Sequence, residues 1–249
     1  MKRAGEALAL AQKQSDPFSF VYASASAALF HHYRGEDGIA QKQAETAMKI
    51  ATDHGFAHWE AIATVARGSA LIGQGKVEEG IEQMHQSLTA CQTTGAEMLQ
   101  PWLLSLLAEG YSKARQIEEG LSVLDEALAV ALRIGERIYE AELYRLKGAL
   151  LLQSKVQGAK SKIDNPQSAI HNSQLEAEAC FHQAIEIARQ QNAKSLELRA
   201  VMSLSHLWQQ QGKQNEARQI LAEIYGWFTE GFDTVDLQEA KALLEELGS

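Results

Sequence analysis

The sequence predicts an all-α protein, a right-handed α-α superhelix of about five helix pairs with a single helix before them and a capping helix after them. Three observations predict this fold. Small residues recur every 40 positions, apolar residues within each interval follow helical spacing, and no segment alternates polar and apolar residues as a half-buried strand does. With 45% hydrophobic residues, the 249-residue chain can bury the core that such a fold needs.

Two rows of small residues define the repeat. The first row is spaced by 40, 40, 40 and 57 residues and the second by 40, 40, 57 and 40, so one insertion of 17 residues explains both long steps. Because two helices approach closely only where side chains are small, we expect one member of each row at each helix crossing. The first row is Ala28, Gly68, Ala108, Gly148 and Ser205, and the second is Ala40, Gly80, Gly120, Ala177 and Ala217.

The elements follow in chain order, each repeat giving a first and a second amphipathic helix. The residues before position 17 are in phase with a second helix, as Ala7 and Ala11 match Ala47 and Ala51, so the chain starts inside a repeat. We therefore expect a C-terminal fragment of a larger protein, able to form a homodimer through this N-terminal edge. One repeat domain is predicted over 1–249, with repeats at about 17–55, 56–95, 96–135, 136–192 and 193–231, an insertion at 155–172 and a cap at 232–249.

The insertion separates the two helices of the fourth repeat. Its composition, with Gly158, Asn165 and Pro166, favours a mobile loop, since added loop length costs little conformational entropy. A binding loop is the alternative.

The repeat resembles the tetratricopeptide repeat. In the third repeat Leu104, Leu107, Ala108 and Tyr111 follow that family's first-helix pattern, and Ala177–Ala184 follows its second-helix pattern with Phe181 between. The period exceeds the usual value of about 34 residues. This longer form is similar to the repeats of transcriptional regulators related to the maltose regulator.

The last part of the chain is similar to the tails of bacterial multidomain signalling ATPases and of adenylate-guanylate cyclase-type regulators. Three runs carry the resemblance: 193–200, 207–213 and 224–234. It implies a non-catalytic regulatory module, with any ATPase, cyclase or kinase activity in other domains of the parent protein.

Composition and motif context exclude several kinds of site. A net charge of −9 argues against nucleic-acid binding, and two cysteines and no long apolar run favour a cytoplasmic protein that does not bind membranes. The segment Gly73–Lys76 lacks the remaining residues of a phosphate-binding loop. The eight histidines lack metal-ligand spacing, so we expect no metal, cofactor or catalytic residue.

What remains is a surface. In such repeats the first helices line an extended groove, which suits a peptide, a partner helix or the parent's own catalytic domains. Aromatic residues and arginines dominate contact energies at protein interfaces. A small-molecule sensor is the alternative function, with a sugar stacked on Trp102, Tyr22 or Tyr33, whereas an enzyme would need a cluster of polar residues that the sequence does not show. The predicted groove residues are Tyr22, His32, Tyr33, Trp102, Glu109, Glu142, Arg145, Arg199, Met202 and His206.

Overall fold

The computed structural model describes residues 2–14, 16–94, 97–158 and 166–248, and these residues form twelve α-helices and no strand. The predicted all-α class is confirmed, as are the five helix pairs between a single first helix and a single last helix. A short 3-10 turn, Glu97–Leu99, precedes the sixth helix. The helices are α1 (Lys2–Gln14), α2 (Pro17–Tyr33), α3 (Asp37–His54), α4 (Ala57–Gly73), α5 (Val77–Thr94), α6 (Gln100–Ala114), α7 (Ile117–Ile134), α8 (Glu140–Gly158), α9 (Pro166–Gln190), α10 (Lys194–Gln210), α11 (Gln214–Tyr225) and α12 (Val235–Glu246).

The chain divides into two compact units, Met1–Ala114 and Arg115–Ser249. The N-terminal unit contains α1 to α6, and its first helices α2, α4 and α6 contact one another in order. The C-terminal unit contains α7 to α12, and there the first helices α8, α10 and α12 do the same. Each unit thus presents a row of three neighbouring first helices. The single domain over 1–249 and its repeat boundaries stay predictions.

The two rows of small residues meet at helix crossings. A Cβ on Gly68 in α4 would lie 3.0 Å from the carbonyl oxygen of Gly80 in α5. A Cβ on Gly148 would lie 3.0 Å from the carbonyl oxygen of Ala177, and the Ser205 hydroxyl donates to the carbonyl of Ala217 at 3.3 Å. The small residues therefore set how closely the paired helices approach.

Local signals place the helix ends where the sequence predicts them. Asp16 caps α2, since its carboxylate accepts the backbone N–H of Ser19 at 2.9 Å, and Pro17 takes the first helical position. Gly75 adopts φ +85° in the turn between α4 and α5 and Gly135 adopts φ +73° after α7. In that left-handed region glycine avoids the steric cost of a Cβ.

The cores of the two units differ in residue size. In the N-terminal unit α2 and α3 pack through fully buried alanines such as Ala28, Ala44 and Ala47. In the C-terminal unit Phe181 and Leu204 belong to a larger cluster with further leucines. Among the described residues no helix is long and apolar enough to cross a lipid bilayer.

The first and last helices differ from their in-phase counterparts. Ala7 in α1 is exposed, whereas Ala47, one period later in α3, is fully buried against its neighbours. At the other end, the position that holds buried Ser205 in α10 holds Glu245 in α12, whose side chain is 71% exposed. A charged residue at the crossing position disfavours the close approach of another helix, which suits the capping role predicted for α12.

Most of the insertion is helical. The α8 helix continues to Gly158 and α9 starts at Pro166, so 155–158 and 166–172 lengthen these two helices instead of forming a loop. Proline is well tolerated at the first position of a helix because its missing N–H has no intrahelical partner there. The remaining insertion residues, 159–165, lie outside the described residues, and so does the choice between a mobile and a binding loop for them.

Candidate partner-binding surfaces

The ten predicted groove residues are divided between the two units. Those of the N-terminal unit are Tyr22, His32, Tyr33, Trp102 and Glu109, and those of the C-terminal unit are Glu142, Arg145, Arg199, Met202 and His206. Each set is described within its own unit.

In the C-terminal unit, Glu142 of α8 is at the centre of a charge network. One turn along α8, the Arg145 guanidinium donates to both Glu142 oxygens, at 2.6 and 2.9 Å. From α10, Arg199 Nη1 lies 2.9 Å from Glu142 Oε1. Glu142 and Arg199 occupy the same phase of successive repeats, 57 residues apart, which brings them side by side on neighbouring first helices.

The same network includes Asp236, near the start of α12, which the sequence analysis did not identify. Its Oδ1 lies 3.9 Å from Arg199 Nε, so the network joins all three first helices of the unit. The available signal was phase, because α12 continues the order of first helices and its first turn must lie beside α10. Two carboxylates and two guanidiniums make the network neutral in formal charge.

The electrostatics of the two carboxylates are opposite. Burial alone would raise the pKa of Glu142, which is 7% exposed, but the charges of Arg145 and Arg199 outweigh burial and lower the pKa to about 2. Burial raises the pKa of Asp236; Arg199 opposes that rise, and the Glu142 carboxylate adds to it. Glu142 is thus a strong fixed anion, and Asp236 is a poorly stabilised one.

The other two predicted residues of this unit have different environments. His206 is exposed on α10. Met202 is 9% exposed and packs in the hydrophobic cluster with Leu198 and Val201, so it contributes to the core more than to a surface. Its place on α10 follows the predicted phase, but the twist of the helix turns it towards neighbouring apolar side chains.

In the N-terminal unit, the aromatic residues form two groups. Tyr22 is 54% exposed and meets Trp59 of α4 edge-on, with ring centroids 5.1 Å apart. Phe18, also exposed, contacts Trp59 at 6.1 Å in the same geometry. Phe18 and Trp59 were not predicted as site residues, although Phe18 lies one helical turn before Tyr22 and could have been found by that spacing.

The second group links α2 to α6. The indole N–H of Trp102 donates to the Tyr33 hydroxyl at 2.8 Å, across 69 residues of sequence. Trp102 is only 5% exposed, whereas Tyr33 is 51% exposed. Trp102 therefore supports the surface from below, and Tyr33 presents it.

His32 and Glu109 complete the predicted set. His32 Nδ1 lies 2.8 Å from Asp37 Oδ1, at the turn between α2 and α3, and Glu109 is half-buried on α6. The Asp37 carboxylate in turn packs against Gly73, where an added Cβ would collide with it. Gly73 in the glycine-rich segment thus has a packing role, and Gly75 forms the left-handed turn between helices. Among the described side chains, no group of three or more His, Cys, Asp and Glu is placed to hold a metal ion.

Comparison with known sequences finds no match: no protein-family model matches this chain, and no curated protein matches its sequence.

Comparison with solved structures finds helical-repeat proteins. The TPR-like repeats of a kinesin light chain from Podosopora anserina match with a TM-score of 0.55 and 15% identity, over 83% of this chain and 93% of that one. BtubC from P. vanneervenii matches with a TM-score of 0.58 and 14% identity, over 92% of both chains.

A third similar structure is a signal transduction ATPase with numerous domains from Pyrococcus horikoshii, which has a tetratricopeptide repeat sensor. The TM-score is 0.53 and the identity 19%, over 99% of this chain and 34% of that one. At these identities the likeness concerns the fold. The chain is therefore an α-solenoid with the fold of tetratricopeptide-like repeats.

Proposed function

We propose that this chain is a non-catalytic protein-interaction module that binds a peptide or a helix of a partner on its rows of first helices. The observation that carries the proposal is the contrast between supported and presented side chains in these rows. Tyr33 is held by Trp102 below it, and Arg199 is held by the buried Glu142. Side chains that are fixed before binding lose less conformational entropy when a partner arrives, so such residues make effective contacts.

The fold supports an interaction role. Stacked helical repeats create extended surfaces made from many successive helices, which match the length of an extended peptide or a helix. The exposed residues of the rows, Tyr22, Tyr33 and Arg199, are of the types that contribute most binding energy per residue at protein interfaces.

For the biological setting, we propose a regulatory module of a bacterial signalling protein that responds to its parent's ATPase, cyclase or kinase domain. Two observations support this. The runs 193–200, 207–213 and 224–234 resemble the tails of such proteins, and the solenoid of a signal transduction ATPase has a similar fold. In that setting the partner would be intramolecular, so modest affinity would suffice because linkage raises the effective concentration.

The test is selection of a displayed peptide library on the immobilised 249-residue chain. Binding of the selected peptides is then measured to the chain and to surface variants. We expect Tyr22→Ala with Tyr33→Ala, or Arg199→Gln, to weaken binding about tenfold, as loss of one strong interface contact does.

A matched control uses a second helix. Leu132 is 85% exposed on α7, and Leu132→Ser removes exposed apolar surface outside the rows of first helices. This variant should bind the peptides as the unchanged chain does. A library that yields no binding peptide, or peptides that Leu132→Ser weakens as much as the row variants do, would refute the proposal.

A further inference from the structure

The charge network of the C-terminal unit has a buried part and an outer part. Glu142 and Arg145 form the buried part, with side chains 8% and 14% exposed and two hydrogen bonds between them. Arg199 and Asp236 form the outer part, with side chains 26% and 37% exposed. A group arriving from solvent meets the outer pair first.

The two anions hold Arg199 unequally. Glu142 contacts its Nη1 at 2.9 Å, which fixes the guanidinium in one orientation. Asp236 approaches Nε only to 3.9 Å, too far for a hydrogen bond. The Nε edge of Arg199 therefore has a weak counter-ion, and that counter-ion comes from α12, the last helix of the row.

We propose that Arg199 receives a side-chain carboxylate of an acidic peptide, which takes the place of Asp236 beside its guanidinium. This inference rests on the proposed function, because it names the chemistry of the partner for the C-terminal row. The Glu142–Arg145 pair stays in place and keeps Arg199 oriented, while the incoming carboxylate approaches to hydrogen-bond distance. A charge-assisted pair of that kind is stronger than the long contact that it replaces.

The electrostatics of Asp236 agree with a displaceable role. Burial raises the pKa of this carboxyl; Arg199 opposes the rise, and Glu142 adds to it, so the surroundings stabilise its charge poorly. A peptide carboxylate that enters with Asp236 neutral or turned away adds no net negative charge to the network. A basic peptide would instead have to use Asp236 as its partner, and the two cases predict opposite effects of removing the Asp236 charge.

The experiment uses the library selection on the full chain, with peptides fused at their C-termini so that only side chains supply carboxylates. Selected peptides are synthesised with amidated C-termini, and their dissociation constants are measured by calorimetry. We expect the selected peptides to contain Asp or Glu. We expect Arg199→Gln to weaken binding about tenfold or more and Asp236→Asn to strengthen it about threefold, because the competing carboxylate is gone.

Matched controls test whether general charge explains the result. Arg218→Gln on α11 removes an exposed guanidinium from the same unit, and Asp125→Asn on α7 removes an exposed carboxylate. Both should leave the dissociation constant within about twofold at moderate salt, where distant surface charges are screened. Circular dichroism establishes that each variant is folded. Because Asp236→Asn leaves the Glu142–Arg199 contact intact, this arm decides the question even if Arg199→Gln does not fold.

The outcomes separate this inference from the proposed function. Row-dependent peptides without Asp or Glu would overturn the carboxylate site and leave the interaction module standing. Weaker binding by Asp236→Asn would also overturn it, in favour of a basic partner. A library that yields no row-dependent peptide would overturn both proposals.

Discussion

Replacing Glu142 by Gln removes the carboxylate that two guanidiniums share in the C-terminal unit. The side chain is 8% exposed, so solvent screens the interaction little. Burial opposes ionisation of this carboxyl, but Arg145 and Arg199 outweigh burial, and its pKa falls from 4.5 to about 2. This fall corresponds to about 3 kcal/mol of stability at neutral pH, an order-of-magnitude value. Breaking a buried pair by removing one partner costs a similar amount, about 3–5 kcal/mol.

The assay is thermal unfolding followed by circular dichroism near neutral pH. For a chain of this size a loss of about 3 kcal/mol lowers the midpoint by roughly 6–12 °C. Glu126→Gln on α7 is the control, since Glu126 is exposed and its replacement should change the midpoint little.

The effect of Glu142→Gln should also depend on pH. Because the folded-state pKa lies below the unfolded value, the stabilisation is complete above about pH 5 and is lost as the pH falls towards 2. The difference between the two proteins should therefore fall to less than half by about pH 3. An unchanged midpoint at neutral pH, or a difference that stays constant down to that pH, would refute the reasoning.

Three further predictions concern packing, a hydrogen bond and a titrating group. Gly148→Ala should lower the free energy of unfolding by about 1–3 kcal/mol in urea titration, because the added Cβ would lie 2.6 Å from Phe181 Cε1; a stability gain would contradict this. Trp102→Phe should cost about 1 kcal/mol by losing the hydrogen bond to Tyr33, and a double-mutant cycle with Tyr33→Phe that shows no coupling would disprove it. Asp236→Asn should leave the melting temperature unchanged or higher near neutral pH. Burial raises the Asp236 pKa, so the native aspartate loses stability as the pH rises through its folded-state value, and the difference should vanish in acid.

Much of the fold was predictable because the signals are local and repeated. Gly68 and Gly80 announce one helix crossing, and the same two positions recur in every repeat, so each crossing strengthens the interpretation of the others. The turn glycine Gly75 likewise follows from the residue's access to left-handed backbone angles.

The candidate surfaces were predictable only in part. Phase alone placed Glu142 and Arg199 on adjacent helices, and the structure brings them into contact. Phase did not show that Met202 turns into the core. It also did not identify Asp236, because a capping helix was expected to terminate the repeats and not to join their charge network.

By itself, the sequence determined the helical class, the helix pairing and the position of the close crossings, since these depend on periodicity and residue size. Only the tertiary structure decided that part of the insertion lengthens α8 and α9, that Tyr33 rests on Trp102 and that Asp236 joins Arg199. The physical reason is that such contacts join side chains from different helices. Their formation depends on helix stagger and rotamer choice, to which the packing of many residues contributes and which a repeating pattern does not encode.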